Sequence, residues 1–295
     1  MDVIYSISPE DTPILSAIPR TTAASTKHEW QLDALAAPAA NSVIEGDDVT
    51  IDAMVATTRA FNFTQIQDKA IALSGTQSAV NAAGRADEMA YQIAKKSKEL
   101  KKDMEFALIK GQVQAVGSAT AARALGSIPT WLATNGDAGT GGTLSTGSGT
   151  DLPNSGTDRD LTETILKTVI KEVYESGGDL DLLVVPPSVK QVISGFNANT
   201  TRFGPAESRT EYAAIDVYSS DFGDIKLVPN RVMATTSESL CLMLQSDMAA
   251  AAYLRDFQIA DLAKTGDSEK KQLLVEWTLE MRNEAAHGII LDINQ

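Results

Sequence analysis

The sequence is poor in the residues that most often carry catalysis, redox chemistry and membrane insertion. Its 295 residues include one cysteine and two histidines, and aromatic residues make up 5%. One cysteine excludes a disulfide bond within the chain, and His28 and His287 lie too far apart in sequence to suggest a shared metal site. No apolar run approaches the roughly 20 residues that a membrane-spanning helix needs, and the first residues lack the pattern of a signal peptide. These shortages point away from disulfide-stapled, metal-dependent and membrane-embedded proteins.

The chain is strongly acidic. The formal net charge is −14 and the isoelectric point is near 4.6. Apolar residues make up 43% and charged residues 22%, which are ordinary fractions for a globular protein. Because an acidic chain repels polyphosphate, general nucleic-acid binding is not expected.

Two features invite a catalytic interpretation, and neither supports one. Cys241 lies in the apolar run 240–244, where a small buried side chain on a central strand is a better interpretation than a nucleophile. The glycine-rich stretch 140–150 lacks the lysine and the following hydroxyl residue of a phosphate-binding loop, so we interpret it as a surface loop. No nucleophile-elbow pattern is present. We predict a protein that is not an enzyme and that has no cofactor and no metal.

The amino-terminal third has little with which to build a core of its own. Prolines interrupt residues 6–20, which predicts an extended arm with one helical turn over 12–17. Alternating apolar and polar residues predict strands over 28–33 and 58–66, separated by a long polar, alanine-rich stretch. A lone hairpin is marginal in water. We therefore expect the arm and hairpin to lie across other copies of the chain, through seven candidate contacts: Ile14, Leu15, Ile18, Trp30, Leu32, Phe61 and Phe63.

A long amphipathic helix is predicted after Gly84. Neither glycine nor proline interrupts residues 85–110, and apolar residues recur at helical spacing: Met89, Ile93, Leu100, Met104 and Leu108. The opposite side is rich in lysine: Lys95, Lys96, Lys98, Lys101 and Lys102. This side is either a nucleic-acid patch or a solvated face paired with Glu99, Asp103 and Glu105. We favour the solvated face, because no aromatic residues are interleaved with the lysines.

An α/β region and a closing pair of strands follow. A helix is predicted from Asp160 and Glu163, which form a capping-box-like pair, to the glycines at 177–178. Further elements are predicted as follows: strands at 182–185, 214–218, 225–228 and 240–244, a short helix at 188–193, and a long loop at 197–211. Alternating apolar and polar residues over 272–282 predict a strand with one apolar face and one solvated face. A second strand is predicted at 289–291 and is expected to return beside the first. We expect these closing strands to pack against the long helix.

The order of these parts resembles that of the major capsid proteins of tailed bacteriophages, which have the HK97-like fold. The resemblance covers nearly the whole chain and rests on short stretches that occur in the same order: Ser8-Pro9-Glu10-Asp11-Thr12-Pro13, His28-Glu29-Trp30-Gln31, Glu45-Gly46-Asp47-Asp48, Ser74-Gly75-Thr76-Gln77, Ala83-Gly84-Arg85, Phe222-Gly223, Val228-Pro229-Asn230-Arg231 and Ala263-Lys264-Thr265-Gly266-Asp267. It implies an α+β fold with an N-terminal arm, an E-loop hairpin, a P-domain built on a long spine helix, and an A-domain.

The resemblance also implies where these parts begin and end. In this sequence they are the arm (1–26), the E-loop (27–78), the first part of the P-domain (79–135, with the spine helix at 85–113), a Gly/Ser/Thr-rich loop (136–158), the A-domain (159–250) and the closing strands of the P-domain (251–295).

The function that the resemblance implies is structural. The chain is expected to self-assemble, as hexamers and pentamers, into an icosahedral shell around packaged double-stranded DNA. Expected partners are other copies of the chain, a portal protein, and scaffolding or decoration proteins. The DNA contact is expected to be non-specific, and no membrane is involved. The expected location is the virion, after synthesis in the bacterial cytoplasm. The prototype's long N-terminal scaffolding segment has no counterpart here, so scaffolding is expected from a separate protein, unless the segment was removed or never existed.

Three alternatives share part of this evidence. An encapsulin-like compartment has the same fold and stores enzymes, and another virion component, such as a tube or decoration protein, would also assemble. Some relatives join a hairpin lysine covalently to a neighbour's asparagine, which would make Lys69 with Asn230 or Asn283 the candidate pair. We favour a solvated Lys69, because the sequence does not place a catalytic carboxylate.

Overall fold

The structure, a computed structural model, describes residues 11–46, 48, 51, 53–80, 87–196, 216–235 and 239–294. The helices are α1 (Pro13–Ala17), α2 (Gly75–Ala79), α3 (Glu88–Ile109), α4 (Glu163–Glu175) and α5 (Pro187–Phe196). The strands are β1 (Arg20–Thr22), β2 (Lys27–Leu32), β3 (Thr58–Phe63), β4 (Gln65–Ser74), β5 (Gly136–Asp137), β6 (Leu182–Val185), β7 (Val217–Ser220), β8 (Gly223–Pro229), β9 (Cys241–Leu244), β10 (Ala249–Leu262), β11 (Ser268–Met281) and β12 (Gly288–Ile290).

A four-stranded sheet in the order β1-β10-β11-β4 forms one half of the fold. Its centre is the antiparallel pair of β10 and β11, each 14 residues long. Strand β4 pairs antiparallel with β11 along its whole length, so residues 65–74 belong to this sheet and not to the hairpin that was predicted to include them. The sequence did not predict β10, because it opens with four alanines in succession and lacks an alternating pattern.

The long helix α3 packs against this sheet through the predicted apolar stripe. Its side chains at Met89, Leu100, Met104 and Leu108 are buried in one core with the sheet. Each such side chain contributes about 1.5–3 kcal/mol when fully buried. The carboxylate of Asp87 caps the first turn by accepting from the Ala90 amide at 3.2 Å. The helix ends at Ile109, short of the predicted residue 113, because the backbone of Lys110 is extended and glycine follows it.

A six-stranded sheet in the order β5-β12-β9-β6-β8-β7 forms the other half. Its central strands β6 and β9 are buried at every residue, as expected for strands covered on both faces. Helices α4 and α5 supply a second core, through Leu166, Val169, Val173, Val189 and Ile193. The strands predicted at 182–185, 225–228 and 240–244 are confirmed. The loop predicted at 197–211 lies outside the described residues, as do residues 214 and 215 of the strand predicted before β7.

Two further predictions are corrected by the backbone. Strand β12 pairs with β9 and β5 in the six-stranded sheet and does not return beside β11, because a short 3-10 turn at Glu284–Ala286 carries the chain across from one sheet to the other. Helix α4 is capped by Thr162, whose hydroxyl accepts from the Ile165 amide, and not by Asp160. The carboxylate of Asp160 instead accepts from the side-chain amide of Asn294 at 2.7 Å.

Candidate subunit interface

The hairpin of β2 and β3 is fastened to its own subunit by a buried amide. Asn62 is fully buried, and its Nδ2 donates to the carbonyls of Gly126 at 3.2 Å and Leu279 at 2.9 Å. Its Oδ1 accepts from the amides of Phe63 at 2.9 Å and Gly126 at 2.8 Å. Both donors and both lone pairs of the side chain are therefore used, and the base of the hairpin has a fixed position on β11.

The face of β11 that was predicted to be wet is covered by this hairpin base. Glu276, on that face, is buried and accepts from Thr64 Oγ1 at 2.9 Å and from Arg255 Nε at 2.7 Å, and it also bonds Arg123. Burial raises the pKa of Glu276, but the hydrogen bonds from Arg255 and Thr64 and the charges of both arginines bring the pKa below its ordinary value. The prediction of a solvated face is wrong, because alternating polarity cannot distinguish water from a buried ion-pair network.

A hydrogen bond from His28 also joins the hairpin to the same face. His28 Nε2 lies 2.8 Å from Glu280 Oε2, and Glu280 Oε1 accepts from Arg282 Nε at 3.0 Å. The hydrogen bond from His28, opposed by burial and supported by Arg282, lowers the pKa of the Glu280 carboxyl. One candidate contact, Trp30, belongs to this anchored base: it is 9% exposed and its ring lies 5.3 Å from that of Trp131. Trp30 therefore packs within its own subunit.

The N-terminal arm is also held by its own subunit, through Glu105 of α3. Oε1 and Oε2 of this buried carboxylate accept from the amides of Ile14 at 3.0 Å and Leu15 at 2.9 Å, and Oε1 also accepts from Asn230 Nδ2 at 2.7 Å. Burial raises the pKa of Glu105, and the three hydrogen bonds offset that rise only in part. The expected pairing of Glu105 with a helix lysine is wrong, because its side chain faces the core.

The anchoring through Glu105 buries some of the candidate contacts in the arm and leaves others partly exposed. Ile14 and Ile18 are 0% and 4% exposed in the single chain, so the expectation that they contact another subunit is corrected. Leu15 stays half-buried at the edge of the core, and Leu32 of β2 does the same. Phe61 and Phe63 are half-buried and meet edge to face, with ring centroids 5.7 Å apart. These four side chains therefore remain partly accessible to a neighbouring subunit.

The loop between β2 and β3, residues 33–57, is called the tip below. Every described residue of the tip is exposed, so none of these residues is covered by the rest of its own chain. Leu35 and Met54 are 99% exposed, and the tip also exposes four further large apolar side chains: Val43, Ile44, Ile51 and Val55. The sequence prediction missed them, because they are scattered through an alanine-rich polar stretch with no period that marks a face. Six large exposed apolar side chains on one loop make the tip a candidate surface for interaction.

The residues considered for covalent crosslinking are already engaged. Lys69 Nζ lies 2.5 Å from Asp103 of α3, and this hydrogen bond raises the pKa of Lys69. Asn230 is fully buried between Glu105 and the Val232 amide. Lys69 and Asn230 are therefore each held by groups of their own subunit, whereas Asn283 is exposed and its Oδ1 accepts from the Ala285 amide at 3.1 Å.

The cysteine and the histidine that could serve in a catalytic or metal site are each buried apart from the other. Cys241 is enclosed on β9, as predicted, and burial raises the pKa of its thiol. Burial lowers the pKa of His287 to about 4, and its Nδ1 accepts from the Gln245 amide at 3.2 Å. Within the described ranges, no group of three or more histidine, cysteine, aspartate or glutamate side chains is arranged to hold a metal ion. Among the same residues, no helix is long and apolar enough to cross a membrane.

The glycine-rich loop 136–158 is packed onto the end of the chain and is not a free surface loop. Asp292, at a positive φ of 56°, accepts from the Gly139 amide at 2.9 Å and from Ser155 Oγ at 3.0 Å. A side chain at Gly139 would meet the Thr157 carbonyl at 2.2 Å, so glycine is required there. The glycines serve close packing, and the expectation of a loop without phosphate chemistry is unchanged.

Residues 1–294 match the family model described as SU10 major capsid protein. The chain belongs to the SU10 major capsid protein family. It is 27% identical to the major capsid protein of Escherichia phage Phieco32, over 97% of this chain and 91% of that protein.

Solved structures of other proteins share the fold of this chain. A chain of the cyanophage A-1(L) capsid asymmetric unit superposes with a TM-score of 0.71 at 13% identity, covering all of this chain and 96% of that chain. An encapsulin from Synechococcus elongatus has a TM-score of 0.59 at 10% identity, covering 99% and 92%. At such identities the likeness concerns the fold alone. The predicted α+β, HK97-like capsid fold and the structural role in a phage capsid are confirmed, and the encapsulin is a distant neighbour.

Proposed function

We propose that this capsid protein assembles, as hexamers and pentamers, into a closed icosahedral shell that holds the packaged double-stranded DNA of a tailed phage. The observation that carries the proposal is the tip, which presents six large apolar side chains between 78% and 99% exposed on a loop that its own subunit does not cover. Burying apolar surface yields about 25 cal/mol per Å², so a second copy that covers the tip stabilises the assembly.

The anchored base and the free tip have complementary roles in this proposal. The base is fixed through Asn62, Glu276 and Glu280, so the two strands that carry the tip are held on the four-stranded sheet. Pre-organisation of this kind lowers the ordering entropy that a contact must overcome. Many modest contacts of one kind, repeated around a shell, then act together. The half-buried Leu15 and Leu32 and the pair Phe61 and Phe63 are proposed as the inner margin of the same interface.

The parts of the chain are proposed to take the roles of the family's domains. Residues 27–63 act as the E-loop, α3 as the spine helix, and the four-stranded sheet as the body of the P-domain. The six-stranded sheet with α4 and α5 acts as the A-domain. The P-domain and A-domain boundaries at 135 and 250 from the sequence stay proposals, with β12 moved into the A-domain sheet.

The remaining partners are inferred from the setting of a virion. A portal protein, with scaffolding or decoration proteins, is proposed to join the shell in the bacterial cytoplasm. The net charge of −14 favours a wall along which packaged DNA moves without adhering. We also propose that the chain has no catalytic activity, since Cys241 and His287 are both enclosed and chemically silent at neutral pH.

Electron microscopy of the purified chain tests the assembly. Closed polyhedral shells are expected from the native sequence, whereas tubes or monomers would refute the proposal. The double variant Val43→Ser and Ile44→Ser is expected to lose shells while its subunit keeps its thermal stability, because both side chains are exposed in the subunit. The matched control is Val116→Ser, which removes an apolar side chain that is 69% exposed outside the tip. Equal loss in the control would mean that the tip has no special part in assembly.

A compartment function is the second candidate, and the encapsulin fold match is the observation that favours it. The two functions differ in their contents. Shells purified from infected cells are expected to contain double-stranded DNA, while an encapsulin-like shell would contain a cargo enzyme and no genome.

A further inference from the structure

The helical turn α1 of the arm is capped by a side chain from another helix. Thr12, at its N-cap, makes no side-chain hydrogen bond to α1, and Pro13 at the first position has no amide hydrogen. The next two amides, of Ile14 and Leu15, donate to the two carboxyl oxygens of Glu105 at 3.0 and 2.9 Å. Since a single helical turn is not stable by itself, this carboxyl group holds the turn in place.

The same carboxyl group connects the arm to the six-stranded sheet. Asn230, the residue after β8, is fully buried, and its Nδ2 donates to Glu105 Oε1 at 2.7 Å. The side chain of Asn230 is fixed because its Oδ1 accepts from the Val232 amide at 2.8 Å, and its own amide donates to the Val185 carbonyl of β6 at 2.8 Å. Glu105 therefore joins the arm, α3 and the six-stranded sheet at one point.

No cation bonds this carboxyl group within the described ranges. Glu105 is 0% exposed, and a buried carboxylate without a cation is costly. Burial raises the pKa of Glu105 by more than its three hydrogen bonds lower it. The charged and titratable side chains of the described elements packed around it lie elsewhere: Asp11 of the arm, which pairs with Arg231 at 3.7 Å, Lys101 and Lys102 of α3, and Tyr253 of β10, which lies beneath Arg20.

The site has room for a proton. The two oxygens of a carboxylate offer about four lone-pair positions. Oε1 of Glu105 uses both of its positions, for Ile14 and Asn230, whereas Oε2 accepts only from the Leu15 amide. A proton on the second lone pair of Oε2 removes the buried charge without displacing any of the three donors. The geometry is therefore compatible with a neutral Glu105.

We infer that docking of the arm takes up one proton from water at Glu105, so that the arm is held most firmly in acid and loosens as the pH rises. Without the arm, Glu105 would face water, where the carboxyl pKa is near its ordinary value of 4.5. Because docking raises this pKa, the arm binds at full strength below 4.5 and loses strength as the pH rises to the raised pKa, by up to about tenfold per pH unit. The inference concerns the single subunit and does not depend on shell assembly.

Hydrogen exchange at the Ile14 and Leu15 amides of the unassembled subunit tests the sign. After correction for the intrinsic effect of pH, protection of both amides is expected to fall between about pH 5 and pH 8. In Glu105→Gln, which cannot titrate, protection is expected to be independent of pH, whatever its level. The matched control is Glu99→Gln on the same helix, where the carboxylate pairs with Lys96 at 2.7 Å, and it should keep the pH dependence of the native chain.

A direct titration of Glu105 gives an independent measurement. The NMR signal of its carboxyl carbon is expected to titrate above 4.5 in the native chain. The double variant Ile14→Ser and Ile18→Ser removes the two buried apolar side chains of the arm, and there the midpoint should return to about 4.5. Arm protection that stays constant or rises with pH in the native chain would overturn the inference, and so would equal midpoints in the two chains. Either result would leave the proposed shell function untouched.

Discussion

Replacing Asn62 with aspartate places a charge where the hairpin base has a neutral amide with four hydrogen bonds. The two donors of Asn62 reach the carbonyls of Gly126 and Leu279 at 3.2 and 2.9 Å. In the variant a carboxylate oxygen replaces Nδ2 and faces both carbonyl oxygens, unless the aspartate takes up a proton. The Gly126 carbonyl keeps a hydrogen bond from Trp131 Nε1 at 3.3 Å, so the Leu279 carbonyl is the group that loses its side-chain donor. One unsatisfied buried group costs about 1–3 kcal/mol, which is a sizeable part of the roughly 5–15 kcal/mol by which a domain is stable.

The assay is denaturant unfolding of the unassembled subunit, followed by tryptophan fluorescence. Trp30 and Trp131 lie against each other at this base in a tilted arrangement, with ring centroids 5.3 Å apart, so the fluorescence reports the affected region directly. The control is Asn41→Asp in the tip, which makes the same chemical change at an exposed position. We expect the control to stay within about 0.5 kcal/mol of the native chain. If Asn62→Asp unfolds at the same denaturant concentration as the control, the claim that Asn62 fastens the hairpin is wrong.

Further predictions concern pH, the arm and covalent chemistry. Burial lowers the pKa of His287 from 6.5 to about 4, so the folded state favours the neutral imidazole. The free energy of unfolding should therefore fall by roughly 3 kcal/mol as the pH drops from 6.5 to 4. The fall should be much smaller in the variant His287→Gln. Glu105→Ala should speed hydrogen exchange at the Ile14 and Leu15 amides; unchanged protection there would contradict the arm anchor. Purified shells should give a single band of 31.4 kDa on a denaturing gel, because Lys69 is held within its subunit, and a ladder would contradict this.

Local periodicity predicted the regular elements well. The stripe from Met89 to Leu108 predicted α3, and the apolar run over 240–244 predicted a buried central strand, because in both cases the core lies on a face that repeats along the chain. Strand β10 was missed because four alanines have no alternation, and the destination of β12 was missed because pairing partners are not local information.

The burial of the arm and of Trp30 within the subunit could not be predicted from the sequence. Ile14, Ile18 and Trp30 were assigned to a neighbour because no core partner was visible within their own segment. Their partners come from α3 and from residues near 131, far along the chain, and the side chains are buried there. The apolar residues of the tip form no pattern in the sequence, and their exposure in the structure is the basis for proposing them as a contact surface.

The junction at Glu105 also bears on the order in which the subunit matures. Glu105 bonds Ile14, which lies 91 residues before it in the sequence, and Asn230, which lies 125 residues after it. Contacts between residues so far apart in the sequence form late in folding, because closing the large loop between them costs conformational entropy before the contacts can stabilise the chain. During synthesis the leading segment therefore stays loose until the strand that precedes Asn230 has emerged and paired. A truncated product stalled before that point would keep its first residues undocked, and it would be an easy substrate for a protease.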